Sequence, residues 1–161
     1  EQEIANIVYA TALLAFRDVR LLDTVCGRLP ARLRNCSVQN IANVMYAMAL
    51  LGYTDESFLD AACQHLCHET GHFNSQDLSN TLWALSLLQA RPQEFLASAC
   101  SNCRELAVHA KEQELANTIY ALGQLQFNDG GFLRRWAVVA AERAEELTAQ
   151  GLCNILYGMA L

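Results

Sequence analysis

Residues 39 to 51 read Gln39-Asn-Ile-Ala-Asn43-Val-Met-Tyr46-Ala-Met-Ala-Leu-Leu51, and the same pattern returns along the whole chain. Copies begin at Gln2, Gln39, Gln76, Gln113 and Gln150, each 37 residues after the last. In every copy an Asn follows the Gln by four residues (Asn6, Asn43, Asn80, Asn117, Asn154) and an aromatic follows the Asn by three (Tyr9, Tyr46, Trp83, Tyr120, Tyr157). Self-similarity at a fixed period of this size marks stacked repeats, in which each unit buries its apolar faces on its neighbours. The expected fold is all-α: a solenoid of 37-residue helix-turn-helix units over 2–38, 39–75, 76–112 and 113–149, with 150–161 opening a fifth. Both ends would leave apolar faces bare, so the chain reads as a piece of a longer solenoid.

Each unit divides into two helices. The first is expected to open after Ser37, Asn74 or Thr148, residue types that cap helix N-termini, and to run about 14 residues to the Leu pairs near Leu14, Leu51 and Leu88. A short polar turn follows, with Asp18, Asp55 and Asp129 as caps of the second helix and Pro92 at a first helical position. The second helix is amphipathic. It carries Leu22, Cys26 and Leu29, then Leu59, Cys63 and Leu66, on one side and charged residues on the other.

The first helix is apolar nearly all round, with small residues at 5, 42, 79 and 116 and at 10, 47, 84 and 121 that allow close helix approach. Its variable positions are the residue after each Gln and the residue after each Asn. These lie four apart, hence on one face. Stacked over the units they predict a concave double column of Glu3 with Ile7, Asn40 with Val44, Asp77 with Thr81, and Glu114 with Thr118. The repeating Asn has two readings, a ligand contact or a structural amide. A position identical in every unit cannot distinguish one ligand unit from another, and buried amides must be satisfied, so Asn6, Asn43, Asn80, Asn117 and Asn154 are expected to be buried and to bond the next unit's backbone. The aromatic column could stack on bases, but an aromatic at helical spacing more often packs in a core.

Composition bounds the rest. A hydrophobic fraction of 53% suits units covered on two sides, while the recurring Gln and Asn break every apolar run before membrane-spanning length, so no membrane partner is expected. The seven cysteines have no framework spacing and read as free thiols in a reducing compartment, Cys26, Cys63 and Cys100 recurring at one core position. Cys63, Cys67, His68 and His72 lack zinc-ligand spacing, so no metal or other cofactor is expected. Nucleophile elbows, phosphate loops and dinucleotide fingerprints are missing, which argues against an enzyme and a small-molecule substrate. The net charge of −6 disfavours coating of nucleic acid by bulk electrostatics. Arg17, Arg20, Arg28, Arg32 and Arg34 concentrate positive charge near the N-terminal end, where any polyanion contact would fall.

The blocks Gln76-Asp-Leu-Ser-Asn80-Thr-Leu-Trp83 and Gln113-Glu-Leu-Ala-Asn117-Thr-Ile-Tyr120 resemble the octotricopeptide and heptatricopeptide repeats, which are related to the RAP-domain and FAST-kinase-domain families of organellar proteins. The resemblance spans essentially the whole chain, and the step of 37 suits the heptatricopeptide form. It implies a right-handed superhelix in a mitochondrion or chloroplast. The partner implied is RNA, single-stranded or ribosomal, contacted through the concave face, with a role in RNA stability, processing, translation or ribosome assembly. On that resemblance the eight paired residues above become the RNA-reading set. The other expectation is an architectural protein scaffold within a large ribonucleoprotein such as an organellar ribosome. A basic concave face would favour RNA; an acidic or apolar one would favour a protein partner.

Overall fold

A computed structural model describes all residues, 1–161, as nine α-helices with no strand. The first helices of the units are α1 (Gln2–Leu13), α3 (Val38–Leu50), α5 (Ser75–Leu88), α7 (Glu112–Gln124) and α9 (Ala149–Ala160). The second helices are α2 (Val19–Arg28), α4 (Glu56–Glu69), α6 (Gln93–Asn102) and α8 (Gly130–Glu142). A 3-10 turn closes each unit, at Pro30–Asn35, Thr70–His72, Arg104–His109 and Ala144–Glu146.

The boundaries follow from side-chain chemistry. Ser37 Oγ accepts from the Asn40 amide at 3.2 Å and Thr148 Oγ1 from Gly151 at 3.1 Å. Asn74 and Asp77 cap each other, the Asp77 amide donating to Asn74 Oδ1 at 2.8 Å and the Asn74 amide to Asp77 Oδ2 at 3.2 Å. Asp55 and Asp129 each accept from the amide three residues on, at 2.8 Å, and Asp18 accepts from Arg20 at 2.9 Å. These bonds satisfy donors that a helix start leaves orphaned. Pro92 sits one residue earlier than expected, at the cap of α6 rather than inside it.

The four completed first helices all end alike. Residues 15, 52, 89 and 126, again 37 apart, are left-handed with φ between 50° and 59°. The next amide in each case bonds back five residues, as from Tyr53 to Met48 O at 3.0 Å and from Phe127 to Leu122 O at 3.1 Å. This is a glycine-type helix stop. Only Gly52 has the residue that adopts it without strain; the others are Ala15, Gln89 and Gln126.

First helices pack on one another in chain order, α1 on α3, α3 on α5, α5 on α7 and α7 on α9, far more extensively than second helices do. The first helices therefore form the inner, closely spaced row. Small residues set that spacing: Ala5, Ala42, Ser79 and Ala116 are buried, as are Ala47, Ala84 and Ala121. Gly158 continues the second column, and a Cβ there would sit 2.6 Å from Tyr120 Cα, so α9 approaches α7 backbone to backbone. One continuous apolar core runs through all the units. Cys26, Cys63 and Cys100 lie in it, and burial pushes each thiol up to about 12, so they remain protonated small apolar fillers.

Polar links between units lie on the outer side and at the turns. Tyr53 Oη donates to Asp23 at 2.7 Å, Asn102 Nδ2 donates to Thr70 Oγ1 at 2.8 Å, Arg143 donates to Ala110 O at 2.7 Å, and Arg135 pairs with Glu105 at 2.9 Å.

The shared left-handed stop makes opposite predictions at equivalent positions. Gly52→Ala should lower unfolding free energy by about 1 kcal/mol, since an L side chain is strained there. Gln89→Gly should raise it by roughly 0.5 kcal/mol, the relief of strain exceeding the added chain entropy. Thermal or urea melts of the two variants check both signs.

Candidate partner-binding face

An inner-row helix is covered by its own unit's second helix and by the first helices before and after it. One stripe remains open. It holds Gln39, Asn43, Tyr46 and Leu50 in α3, at steps of four, three and four residues, the spacing of neighbours on one helix face. The same stripe is Gln76, Asn80, Trp83 and Leu87 in α5, and Gln113, Asn117, Tyr120 and Gln124 in α7. The Gln side chains are exposed and Asn43, Asn80, Asn117 and Asn154 half-buried, while Leu13, Leu50 and Leu87 are 65%, 45% and 48% exposed.

This corrects the sequence-based placement of the open face. Val44, Thr81 and Thr118, at 2%, 0% and 0% exposure, lie in the interface with the preceding unit and cannot meet a ligand. Ile155 fills the same position at 6%, and Ile7 is exposed at 53% because α1 has no helix on that side. Among their partners, Asp77 is buried and committed to its cap, Asn40 and Glu114 are half-buried, and only Glu3 is fully accessible. The physical reason is a rotation of about 100° per residue: one step past the Gln and Asn points at a neighbouring helix instead of solvent. Variation at these positions is interchange of β-branched packing residues.

The Asn column corrects a second expectation. These side chains are not sealed structural amides, and none hydrogen-bonds another group of the protein; the same holds for the five Gln. Asn is also a poor helix former, costing roughly 0.5 kcal/mol relative to Ala in a helix interior. Five units carry that cost with no intramolecular bond to offset it.

The aromatics are neither core nor free. Tyr9 and Tyr46 lie 6.3 Å apart between ring centroids, Trp83 and Tyr120 5.5 Å, and Tyr120 and Tyr157 5.9 Å. They pack on one another along the stack, with an outer edge on the open stripe. Gln124 Nε2 donates to Tyr120 Oη at 3.0 Å.

No first helix contains a Lys or Arg. Their acids are Glu3, Asp77, Glu112 and Glu114. Glu114 accepts from the Lys111 amide at 2.9 Å and from Ser75 Oγ at 2.8 Å. Glu112 accepts from the Thr148 hydroxyl at 2.6 Å and amide at 3.0 Å, bonds that hold its pKa below the usual range. Beside it a cleft of about 220 Å³ opens between α7 and α9, lined by the amides of Gln113, Asn117, Gln150 and Asn154. Burial moves the Asp77 carboxyl the other way, upward. No group of three or more His, Cys, Asp or Glu side chains converges anywhere in the chain, and no helix is long and apolar enough to cross a membrane.

Stacked helix pairs presenting an uncharged stripe of amides and aromatics define an all-α helical-repeat protein whose distinctive surface is its inner row. The chain belongs to the family described as RNA-editing substrate-binding complex 6 protein (RESC6), whose model matches residues 1–161. No curated protein matches it. The broader expectation of an RNA-related helical family stands, but the family is not the octotricopeptide, heptatricopeptide or RAP group.

Thr81 and Thr118 are fully buried, and their hydroxyls have no hydrogen-bond partner. Replacing either with Val, the residue at the equivalent position 44, should raise unfolding free energy by about 1 kcal/mol. Asn80→Ala should leave it within roughly 0.5 kcal/mol, since this half-buried side chain has no partner to lose. Calorimetry of the three variants tests the placement; a large loss in Asn80→Ala would return the Asn to a structural role.

Proposed function

We propose that this chain is a non-catalytic assembly subunit of a mitochondrial RNA-editing substrate-binding complex, holding another protein chain on its inner row. The observation that carries this reading is the absence of any Lys or Arg from the five first helices. An RNA strand laid across them would bring phosphates past carboxylates with no counter-charge, whereas RNA affinity depends chiefly on phosphate neutralisation. The family description supplies the complex and its connection with RNA. Editing complexes of this kind support the mitochondrial placement over the chloroplast.

RNA contact fits better at an edge of the array. Arg17, Arg20, Arg28 and Arg34 are exposed on and around α2 and its closing turn with no carboxylate partner, while Arg32 pairs with Glu1 at 3.3 Å. Four free guanidiniums are enough to steer and hold a phosphate backbone without reading its sequence.

Two experiments separate the roles. In the full-length protein, Asn43→Arg, Asn80→Arg and Asn117→Arg together should release partner subunits from the affinity-purified complex. If the inner row bound RNA, the added charge would instead increase RNA crosslinking and leave the subunits in place. Combined Arg20→Ala, Arg28→Ala and Arg34→Ala should keep the complex intact, weaken its RNA crosslinks and reduce the salt slope of RNA binding by about 2. An unchanged slope would remove RNA from this edge.

A further inference from the structure

The Asn and Gln columns are the one recurring feature of the structure with no structural employment. Ten side-chain amides, at Gln2, Gln39, Gln76, Gln113, Gln150 and their Asn partners four residues on, face the open stripe and bond nothing in the protein. A primary amide offers two donors and an acceptor, and is uncharged. What such a group complements best is another amide.

The sameness of the columns identifies what they read. A side chain repeated without change in each unit cannot distinguish variable parts of a ligand, so it must address a part that also repeats without change. In RNA the invariant element is the ribose-phosphate backbone, whose phosphate at every step calls for cations that this face lacks. In a polypeptide it is the neutral peptide group, one donor and one acceptor.

The spacing agrees. Packed helices sit about 8–10 Å apart, and a polyproline II segment advances about 9.3 Å in three residues at roughly 3.1 Å each. One peptide group in three can then meet each Asn. That conformation makes no internal hydrogen bonds, so its amides are available. Beside the Asn, the rings of Tyr46, Trp83 and Tyr120 and the exposed side chains of Leu50 and Leu87 offer apolar surface to the intervening residues.

Charge sets the class of occupant. The first helices carry exposed or half-buried carboxylates at Glu3, Glu112 and Glu114 and no cation, the exposed Lys111 lying just before α7, and Glu112 is held ionised at the mouth of the amide-lined cleft between α7 and α9. A Lys or Arg side chain entering there would meet a carboxylate and four side-chain amides, each of which can turn its oxygen to a cation. An acidic segment would be repelled.

We propose that the inner row is a backbone-reading groove for an extended, neutral to basic polypeptide segment of a partner subunit, gripped by Asn43, Asn80 and Asn117 and anchored by a cation at the cleft of Glu112, Gln113, Asn117, Gln150 and Asn154. This rests on the assembly reading above and specifies its chemistry.

The test selects random linear 15-residue peptides displayed on phage against the full-length protein, then measures a selected, fluorescein-labelled peptide by anisotropy. Neutral to basic peptides should be enriched. Affinity should fall at least tenfold with combined Asn43→Ala, Asn80→Ala and Asn117→Ala, and again when every third peptide nitrogen is methylated. Glu112→Gln should weaken basic peptides severalfold and neutral ones little. Melting of each variant, expected at or above the parent for the Asn substitutions and slightly below it for Glu112→Gln, whose carboxylate bonds Thr148, shows that the loss is not unfolding.

Failure to enrich any peptide, enrichment of acidic ones, or affinity indifferent to the Asn substitutions and to methylation would overturn the proposal. So would a random-sequence single-stranded RNA 20-mer whose binding depends on the same Asn residues. If subunits leave the complex with the Asn→Arg variant but no peptide is enriched, assembly stands and the backbone groove falls. Retention of all subunits with that variant removes both.

Discussion

Close approach of successive inner helices is the constraint on which the rest depends. Alanine, serine or glycine at 5, 42, 79 and 116 and at 47, 84, 121 and 158 lets backbones come together where larger side chains would hold them apart. At the α7–α9 contact a Cβ on Gly123 would overlap the Gly158 backbone, so no side chain fits at either position without separating the helices. The second helices meet less and are bridged by the 3-10 turns, which spaces the outer row more widely. Every equivalent position is thereby brought into a column, and the ring pairs with centroids 5.5–6.3 Å apart are a direct consequence.

Much of the fold was legible because repetition multiplies weak signals. The 37-residue period, the caps at Ser37, Asn74, Asp55 and Asp129, and the core thiols each recur, so each was read several times in one chain. The left-handed helix stop was not. Gly52 announces it once, but Ala15, Gln89 and Gln126 adopt the same φ under tertiary constraint, and nothing local in their sequence says so.

The open face lies one helical step from where the sequence pattern suggests, for a reason that applies to any helix apolar around its circumference. Such a helix has no polar half to mark solvent. Variation suggests a surface, yet Val44, Thr81 and Thr118 vary only among side chains of one shape, the behaviour of a tight interface. Constancy of the Asn suggests burial, although the Asn share a stripe with Gln on one side and with the exposed Leu50, Leu87 and half-buried Gln124 on the other. The stripe at steps of four, three and four marks the surface, since a row ending in exposed Leu13, Leu50 and Leu87 in three units and in Gln124 in the fourth is not a core row.

An RNA-linked family with an uncharged inner face is not a contradiction once the two surfaces are separated. At physiological salt the Debye length is about 8 Å, less than the thickness of a helix layer, so the arginines around α2 do little to neutralise the inner row. A polyanion and a neutral polypeptide would therefore be sorted to different sides of the same stack by screening alone. The apolar packing that fixes the pitch of the inner row also fixes the distance between its amides. A partner on the proposed groove would be measured against helix spacing, while RNA at the arginine edge would be held by charge with no comparable register.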